Sequence, residues 1–476
     1  MNVRRPSRFI LFAAVLVAAA LSGACRPQPP PAPPEPGIGD RYFPSLGNVG
    51  LDVQHVTLDL RADMEGETIS GSASLSIVAT QPLARFSLDF VGLTVQHVTI
   101  DGRPAAFERE AGELWITRRA PIPAGTNFRV RVDYAGAPGQ AAPPGAFPFA
   151  QGWQFFDGGA FVASEPDGAS RWFPANDHPT DKATYTLRIT VPQAYVVAAN
   201  GRLAEVTEDR RERTYVWEAD DPLASYLVTV VVAELEGRES VMADGLPLRS
   251  YFPAGTDEAA IRPFAVIPDI LAYYEAVFGD YPFETYGTVV VPVDLSFALE
   301  TQTLTLYGRD FPGTESVIAH ELAHEWFGNS VSVARWEDVW LSEGFATYAS
   351  YLWYEQLTDR QHAADELHRL YRMLNESEVR LNLPIGDPGP ERLFDRSVYV
   401  RGALTLEALR ETVGDSVFFE ILRTYADRYR HGNATTQDFV DVAEALSRRD
   451  LDAFFSDWLY EVEVPFVPGW GVEPGF

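Results

Sequence analysis

Four residues whose side chains can bind a metal or move a proton lie close together between positions 317 and 349. His320, Glu321 and His324 form an H-E-x-x-H pattern, and Glu343 follows after eighteen intervening residues. On an α-helix, residues i and i+4 lie on one face, so His320 and His324 can direct two imidazoles at one point. Glu321 is rotated by about 100° and can reach a water there without binding the metal. With Glu343 on the next helix as third ligand, the spacing predicts a metal site.

The number and type of these ligands predict a catalytic site. Three protein ligands leave a fourth position for water, whereas structural sites use four protein ligands. Nitrogen and oxygen ligands without thiolates suit one Zn²⁺ ion, which lowers the pKa of bound water, and Glu321 would be the general base. The alternative is that both histidines are ordinary helix residues. It is disfavoured because the chain has only eight histidines, and two of them flank a glutamate at this spacing.

Length, composition and charge indicate a folded, acidic protein. The chain has 476 residues, of which 46% are hydrophobic and 22% charged, enough for two or three domains with a large core. The formal net charge of −29 argues against nucleic acid as a partner, because phosphate binding requires clustered basic residues. Lys182 is the only lysine among 38 basic residues, and Cys25 is the only cysteine, so an internal disulfide is impossible.

The first 25 residues have the pattern of an export signal. Three arginines precede a thirteen-residue apolar run, which is too short for a comfortable membrane span, and small residues lead to Cys25. This arrangement is similar to a bacterial lipoprotein signal, in which the cysteine is the lipid attachment site. Residues 26–44 are a proline-rich linker. We expect export to the bacterial cell envelope and membrane attachment through Cys25. Cleavage by an ordinary signal peptidase, giving a soluble secreted protein, is the alternative.

Residues 45–250 predict a β-rich domain. Apolar and polar residues alternate with the period of two that is typical of half-buried strands, and Asp-Gly and Asn-Gly turns separate several of these runs. We expect an antiparallel arrangement. The clearest predicted strands are 52–60, 73–78, 128–132, 184–191 and 226–232.

Residues 251–476 predict a mainly helical domain. The apolar spacing between 259 and 278 is helical, and Pro268 should kink or break that helix. A short strand is predicted at 287–293. The later predicted helices are 314–327, 342–355, 360–374, 399–412, 415–429, 436–447 and 451–460.

Several motifs together resemble a known family. The segments HELAHEWFGN and WEDVWLSEGFATY are similar to the zinc-binding segments of the gluzincin aminopeptidases of the M1 type. Residues 164–169, 297–301 and 398–403 resemble three further segments of that family. The resemblance implies an α+β multidomain protein, with an antiparallel β-saddle domain followed by a thermolysin-like, mainly helical catalytic domain. Because the sequence ends soon after Trp458, we expect a short form without the family's C-terminal helical domain and with a more open cleft.

The resemblance also implies roles for individual residues. Glu300 would bind the free α-amino group of a peptide, Glu165 would assist from the β domain, and Ala298 would lie against the substrate. Tyr399 would donate a hydrogen bond to the oxyanion of the tetrahedral intermediate. Each has a structural alternative. Glu165 could be a solvated turn residue, Glu300 a residue of an edge strand, and Tyr399 a core aromatic at a helix start.

The chain departs from the family pattern beside Glu300. Phe297 stands where the family has glycine, Leu299 where it has methionine, and Thr301 where it has asparagine. A bulky ring where glycine admits the peptide backbone could reshape the first substrate pocket. The departures therefore leave the preferred side chain of the substrate open.

The leading functional prediction is a zinc aminopeptidase that releases N-terminal residues from peptide substrates. One alternative is a zinc endopeptidase in which Glu300 no longer anchors an amine. Another is a metal-bearing envelope protein that binds without turnover, which the presence of both Glu321 and Tyr399 argues against. The sequence does not predict an oligomeric state.

Overall fold

The computed structural model describes residues 37–138, 151–310, 313–376 and 383–471. The predicted signal, Cys25 and most of the predicted linker lie outside these residues. Sheets dominate the described chain up to about residue 253, and helices dominate the rest. Among the described residues, no helix is long and apolar enough to cross a membrane.

The largest sheet of the N-terminal part has eight strands. Along Leu51–Asp63 the side chains alternate between buried and more exposed positions, as the period-two pattern predicts. This strand pairs antiparallel with Thr68–Ala79 but parallel with Ala183–Pro192, so the expectation of a purely antiparallel domain is wrong for that pair. The spatial order is Arg202–Glu208, Glu212–Leu223, Ala183–Pro192, Leu51–Asp63, Thr68–Ala79, Asn127–Gly136, Thr94–Ile100 and Arg103–Pro104.

Two smaller sheets complete the N-terminal part. The three-stranded sheet contains Leu83–Asp89, Glu113–Ile122 and Ala106–Glu110. The four-stranded sheet contains Val196–Ala199, Val230–Ala233, Gly159–Ala163 and Gly152–Phe156.

The predicted strand at 226–232 is only partly correct. Ser225–Leu227 forms a turn of 3₁₀-helix, and the strand starts at Val230. The apolar run is fully buried, and Tyr226 reaches across to the catalytic part, where its hydroxyl donates to the Gly328 carbonyl (3.4 Å). A continuous buried apolar run has no periodicity that separates a strand from a turn.

A five-stranded sheet leads into the catalytic part. It contains Leu235–Val241, Pro247–Pro253, Tyr286–Val290, Thr305–Tyr307 and Ala298–Leu299 in that spatial order. Residue 250, where the sequence places the domain boundary, lies inside the second of these strands.

Nine α-helices are described, and most match the predicted segments. The first predicted helix is broken near Pro268, as expected. A 3₁₀ turn over Arg262–Val266 separates Glu258–Ile261 from Ile267–Phe278, and Pro268 lies at the second position of the latter helix, where it fits. The helices are α1 (Glu258–Ile261), α2 (Ile267–Phe278), α3 (Glu315–Ala323), α4 (Trp340–Leu357), α5 (Arg360–Glu376), α6 (Arg396–Val413), α7 (Asp415–Arg428), α8 (Thr436–Ser447) and α9 (Asp452–Leu459).

The segment before the first strand packs against the catalytic part. Asp40 is buried and accepts a hydrogen bond from the Trp336 backbone N–H (3.0 Å), and Arg41 pairs with Glu337. Residues 37–44 belong to the linker that the sequence predicts. In the structure they lie on the folded protein.

Candidate metal centre and active site

Helices α3 and α4 bring three candidate metal ligands together. His320 lies in α3, His324 directly follows it, and Glu343 lies in the first turn of α4. The Nε2 atoms of the two histidines are 3.1 Å apart. Each Nε2 lies 3.4 or 3.5 Å from Oε2 of Glu343. The three atoms therefore form a nearly equilateral triangle.

The size of this triangle suits zinc. Ligand atoms about 2.0–2.1 Å from a tetrahedral zinc lie about 3.3–3.4 Å from one another. Glu343 is buried, and its Oε2 has no hydrogen-bond partner among the described residues. A buried carboxylate oxygen that faces two imidazole nitrogens without a partner is costly unless a cation occupies the space between them. The residues present thus fit a zinc ion.

The backbone after α3 orients one of the histidines. The Nδ1 atom of His324 lies 3.1 Å from both the Phe327 carbonyl oxygen and the Ser342 hydroxyl. Donation from Nδ1 to the carbonyl leaves the lone pair on Nε2 directed at the metal position. His320 has the Thr347 hydroxyl 3.5 Å from its Nδ1. The predicted helix at 314–327 is too long. The helix α3 ends at Ala323, and the chain then turns so that the Phe327 carbonyl lies against His324.

Four glutamates and Tyr399 share one cavity with the histidines. Its volume is about 460 Å³. Glu165, Glu300, Glu321 and Glu343 all line it and are all at least 94% buried. The other lining residues are Leu295, Ser296, Phe297, Ala298, Leu299, His320, His324, Phe394 and Tyr399. The structure thus brings together every candidate site residue of the predicted active site.

The buried carboxylates of this cavity favour the binding of positively charged groups. Loss of solvent raises the pKa of Glu321 well above its ordinary value, and the carboxylates of Glu300 and Glu343 add to that rise. Burial and the neighbouring Glu300 likewise raise the pKa of Glu165. Four carboxylates in one enclosed space are stable in their charged form only when cations enter it.

Glu300 comes to the site from the edge of the five-stranded sheet. It follows the strand Ala298–Leu299, is 4% exposed, and its Oε1 has no hydrogen-bond partner among the described residues. Its backbone is fixed, because Asn329 Nδ2 donates to its carbonyl oxygen (2.7 Å). Glu165 comes from the N-terminal part, just after the strand Gly159–Ala163. Glu165 is therefore not a solvated turn residue. Glu300 does adjoin an edge strand, as its alternative supposed, but its side chain is buried in the cavity with the histidines.

Tyr399 lies in the first turn of α6 and faces the metal ligands. Its ring stacks on the His320 ring, with centroids 5.9 Å apart and planes inclined by 20°. Burial raises the pKa of its hydroxyl well above the ordinary value, and the neighbouring glutamates raise it further. The phenol therefore stays protonated and able to donate a hydrogen bond.

Comparison with known proteins agrees with this arrangement. Residues 52–227 match the Peptidase M1 N-terminal domain, and residues 264–458 match the Peptidase family M1 domain. A crystal structure of an M1 zinc metallopeptidase from Deinococcus radiodurans, a mutant bound to a Tyr-Ser-Ala substrate, is 33% identical to the chain with a TM-score of 0.85. The match covers 91% of this chain and 99% of that one. This chain belongs to peptidase family M1.

The predicted family and α+β fold class are thereby confirmed, and membership implies a zinc-dependent hydrolase. Curated relatives in this family are more distant. Aminopeptidase M1 of Arabidopsis thaliana is 29% identical over 340 residues, and glutamyl aminopeptidase of Homo sapiens is 27% identical over 332 residues. Each match covers 65% of this chain but only 37% and 35% of the relative. The chain thus spans little more than a third of the length of these curated relatives.

Four residues of this M1 site are not among the site residues that the sequence predicts. Ser342 contacts His324 and lies at the start of α4. Asn329 donates to the Glu300 carbonyl and lies in the turn after α3. Because both residues are close to the motif in the chain, the sequence could have suggested that they contact the site. Leu295 and Phe394 line the cavity because of how two loops run, and no local pattern marks them.

Lys182 connects the N-terminal part to the turn that follows α3. Its part-buried Nζ donates to the carbonyl oxygens of Asn329 (2.9 Å) and Ser330 (2.8 Å). Burial lowers its pKa to about 7. A neutral amine still has two N–H groups for these two carbonyls, so the contact does not require a carboxylate. A planar guanidinium does not offer the same compact geometry.

Two glycines allow α4 and α6 to touch, and a substitution there tests their role. A Cβ added to Gly402 would lie 2.6 Å from the Cα of Gly344, which follows the candidate metal ligand Glu343. Gly402→Ala is expected to push the helices apart and lower the free energy of unfolding by about 1–3 kcal/mol. Because Tyr399 moves with α6, kcat should fall by up to about 10²-fold, as for a misplacement of roughly 1 Å.

Thermal unfolding, zinc content and steady-state kinetics of Gly402→Ala measure these effects. Thr412→Ala, at the opposite end of α6, is the matched control and should change kcat little. Unchanged kcat in Gly402→Ala would show that the glycine contact does not set the position of Tyr399.

Proposed function

We propose that this M1 chain is a zinc aminopeptidase that binds one zinc ion through His320, His324 and Glu343. The observation that carries the proposal is the placement of Glu300 and Glu165, two buried carboxylates that line the same cavity as the metal ligands. A carboxylate pair near the metal supplies the counter-charge for a peptide's α-ammonium group, so that cleavage is measured from the N-terminus.

The other residues of the cavity have separate roles in peptide hydrolysis. Zinc, when bound, acts as a Lewis acid and lowers the pKa of water. Glu321 accepts the proton of the attacking water and returns it to the amine that leaves, and its place in the cavity beside the candidate ligands supports this role. Tyr399 donates its hydroxyl proton in a hydrogen bond to the developing oxyanion. Glu300 and Glu165 hold the ammonium group, and Ala298 lies beside the substrate.

One other group of possible ligands, away from the cavity, is a poor candidate for a second zinc ion. His368, Glu407 and Glu411 also lie near one another on α5 and α6. Glu407 already accepts hydrogen bonds from the Tyr348 hydroxyl (2.8 Å) and the Arg360 guanidinium. The positive charge of Arg360 opposes a cation at that position.

Blocking the amine of a peptide separates an aminopeptidase from an endopeptidase. We expect the enzyme to cleave a free peptide, and to cleave its N-acetylated form at least about 100-fold more slowly, because acetylation removes the charge that pairs with Glu300. Mass spectrometry of both digests, with a chelator control, measures the ratio. Equal cleavage of the two peptides would favour the endopeptidase alternative.

Glu300→Gln is the matched variant for this experiment. It keeps the shape of the side chain and removes the charge, so KM for the free peptide should rise by about tenfold or more while zinc content stays unchanged. The selectivity against the acetylated peptide should fall with it. A variant that keeps full selectivity would remove Glu300 from the amine site.

We infer export and lipid attachment from the first 25 residues. The arginines, the short apolar run and Cys25 support a lipoprotein-type signal and a place in the bacterial cell envelope. Cys25→Ser is expected to abolish incorporation of labelled palmitate and to release the protein from the membrane fraction. Membrane association that persists in this variant would contradict the anchor.

A further inference from the structure

The part of the cavity not lined by candidate metal ligands or carboxylates is mainly apolar, and its polar members are Tyr399 and Ser296, whose hydroxyl donates to Asp310. Leu295, Phe297, Leu299 and Phe394 line it, together with the small Ala298. Among the described residues, the lining contains no Arg, Lys, Asn or Gln side chain. A substrate side chain that enters this region therefore meets aliphatic and aromatic surface and finds no cationic or amide partner.

The segment that carries Phe297 is held in place. Asp310 accepts hydrogen bonds from the backbone N–H groups of Leu295 (2.9 Å) and Ser296 (3.2 Å). On the other side, Ala298 and Leu299 pair with the strand Thr305–Tyr307. Phe297 is thus a half-buried ring on a fixed backbone at the cavity wall, between two anchored stretches.

The net charge of the cavity also restricts which substrate side chains can bind. With zinc and one α-ammonium group bound, the four carboxylates still leave the cavity one unit negative, counting the imidazoles as neutral. A neutral side chain leaves this balance unchanged. An acidic side chain adds a further negative charge within reach of several buried carboxylates, where little solvent screens the repulsion.

We propose that Phe297 is a specificity-determining residue that selects peptides with a large apolar first residue, and that this site rejects an acidic first residue. The inference rests on the proposed aminopeptidase function and names its substrate class. It separates this chain from its relatives named glutamyl aminopeptidase, with which it shares 26–27% identity. The side chains that line this cavity, more than the family, decide which residue is removed.

Aminoacyl-arylamides test the inference directly on the zinc-loaded enzyme. Leucyl and phenylalanyl substrates should have kcat/KM at least roughly 100-fold above that of the glutamyl substrate, the factor expected for one unpaired charge about 6 Å from a carboxylate at an effective dielectric constant near 20. Phe297→Ala should lower kcat/KM for the phenylalanyl substrate by about tenfold and change the alanyl substrate little, because only a large side chain contacts the ring.

A charge-gain variant completes the experiment. Phe297→Arg should raise kcat/KM for the glutamyl substrate by about tenfold or more and lower that for the leucyl substrate. Val241→Arg, at a residue 67% exposed in the strand Leu235–Val241, controls for added positive charge and should change neither.

The outcomes distinguish the two proposals. A glutamyl substrate cleaved by the unaltered enzyme within tenfold of the leucyl substrate would overturn this inference and leave the aminopeptidase function standing. The same holds if Phe297→Ala lowers all substrates equally. Failure to cleave every arylamide, together with cleavage of acetylated peptides, would overturn the proposed function itself.

Discussion

Glu321→Gln is expected to produce a folded, zinc-loaded protein with kcat lowered by about 10²–10⁴-fold, the range typical of a lost general base. The amide has nearly the same shape as the carboxylate but does not accept a proton at neutral pH. Glu321 lies on α3 between His320 and His324, the two proposed histidine ligands, yet is not part of the triangle that they form with Glu343. Its loss should therefore remove the proton acceptor and leave the zinc ligands in place.

Metal analysis and kinetics on the same protein sample measure the two effects separately. Glu315→Gln, an exposed glutamate in the first turn of the same helix, is the matched control and should keep both zinc and activity. A Glu321→Gln protein that keeps zinc and turns over at the normal rate would show that another group accepts the proton. The mechanism proposed here would then be wrong.

The metal centre could be predicted from the sequence because its geometry is local. His320 and His324 are one helical turn apart, so backbone hydrogen bonding alone places them on one face. Glu343 is also close in the chain. The triangle of ligand atoms, with sides of 3.1–3.5 Å, is what that spacing predicts once α3 and α4 pack together.

The substrate side of the cavity depends on contacts between distant segments. Glu165 belongs to the N-terminal part and Glu300 to the edge of the catalytic sheet, and nothing in their local sequence indicates that both are buried beside the same histidines. Resemblance to the family suggested their roles, whereas periodicity and spacing could not. Lys182 illustrates the same limit. Its isolation among arginines was visible in the sequence, but its two carbonyl partners belong to the turn after α3.

The errors in the predicted elements have related causes. The parallel pairing of Leu51–Asp63 with Ala183–Pro192 joins strands far apart in the chain, and their alternating pattern is the one typical of antiparallel strands, so it did not predict this pair. The turn at Ser225–Leu227 lies in a mainly apolar run that is buried along its whole length, including the polar Ser225 and Thr229. In both cases tertiary contacts decide what the local pattern leaves open.

Removal of zinc is expected to abolish activity and to lower the melting temperature of the protein. Without the cation, the Nε2 atoms of His320 and His324 face each other and the unpartnered Oε2 of Glu343 in a buried space. The three other carboxylates of the cavity also lose their nearest counter-charge. A ligand present at about 1,000 times its Kd stabilises the folded state by about 4 kcal/mol, so chelation should shift unfolding by an amount that calorimetry resolves.

Glu343→Ala tests whether that stability comes from this site. It removes one ligand and one buried negative charge, so it should bind zinc weakly, lack activity, and show little further change in melting temperature when a chelator is added. Returning zinc to the chelated, unaltered protein should restore both activity and stability. If chelation lowers the melting temperature of Glu343→Ala as much as that of the unaltered protein, the stabilising metal is held elsewhere. If activity survives chelation in the unaltered protein, hydrolysis does not depend on the site formed by α3 and α4.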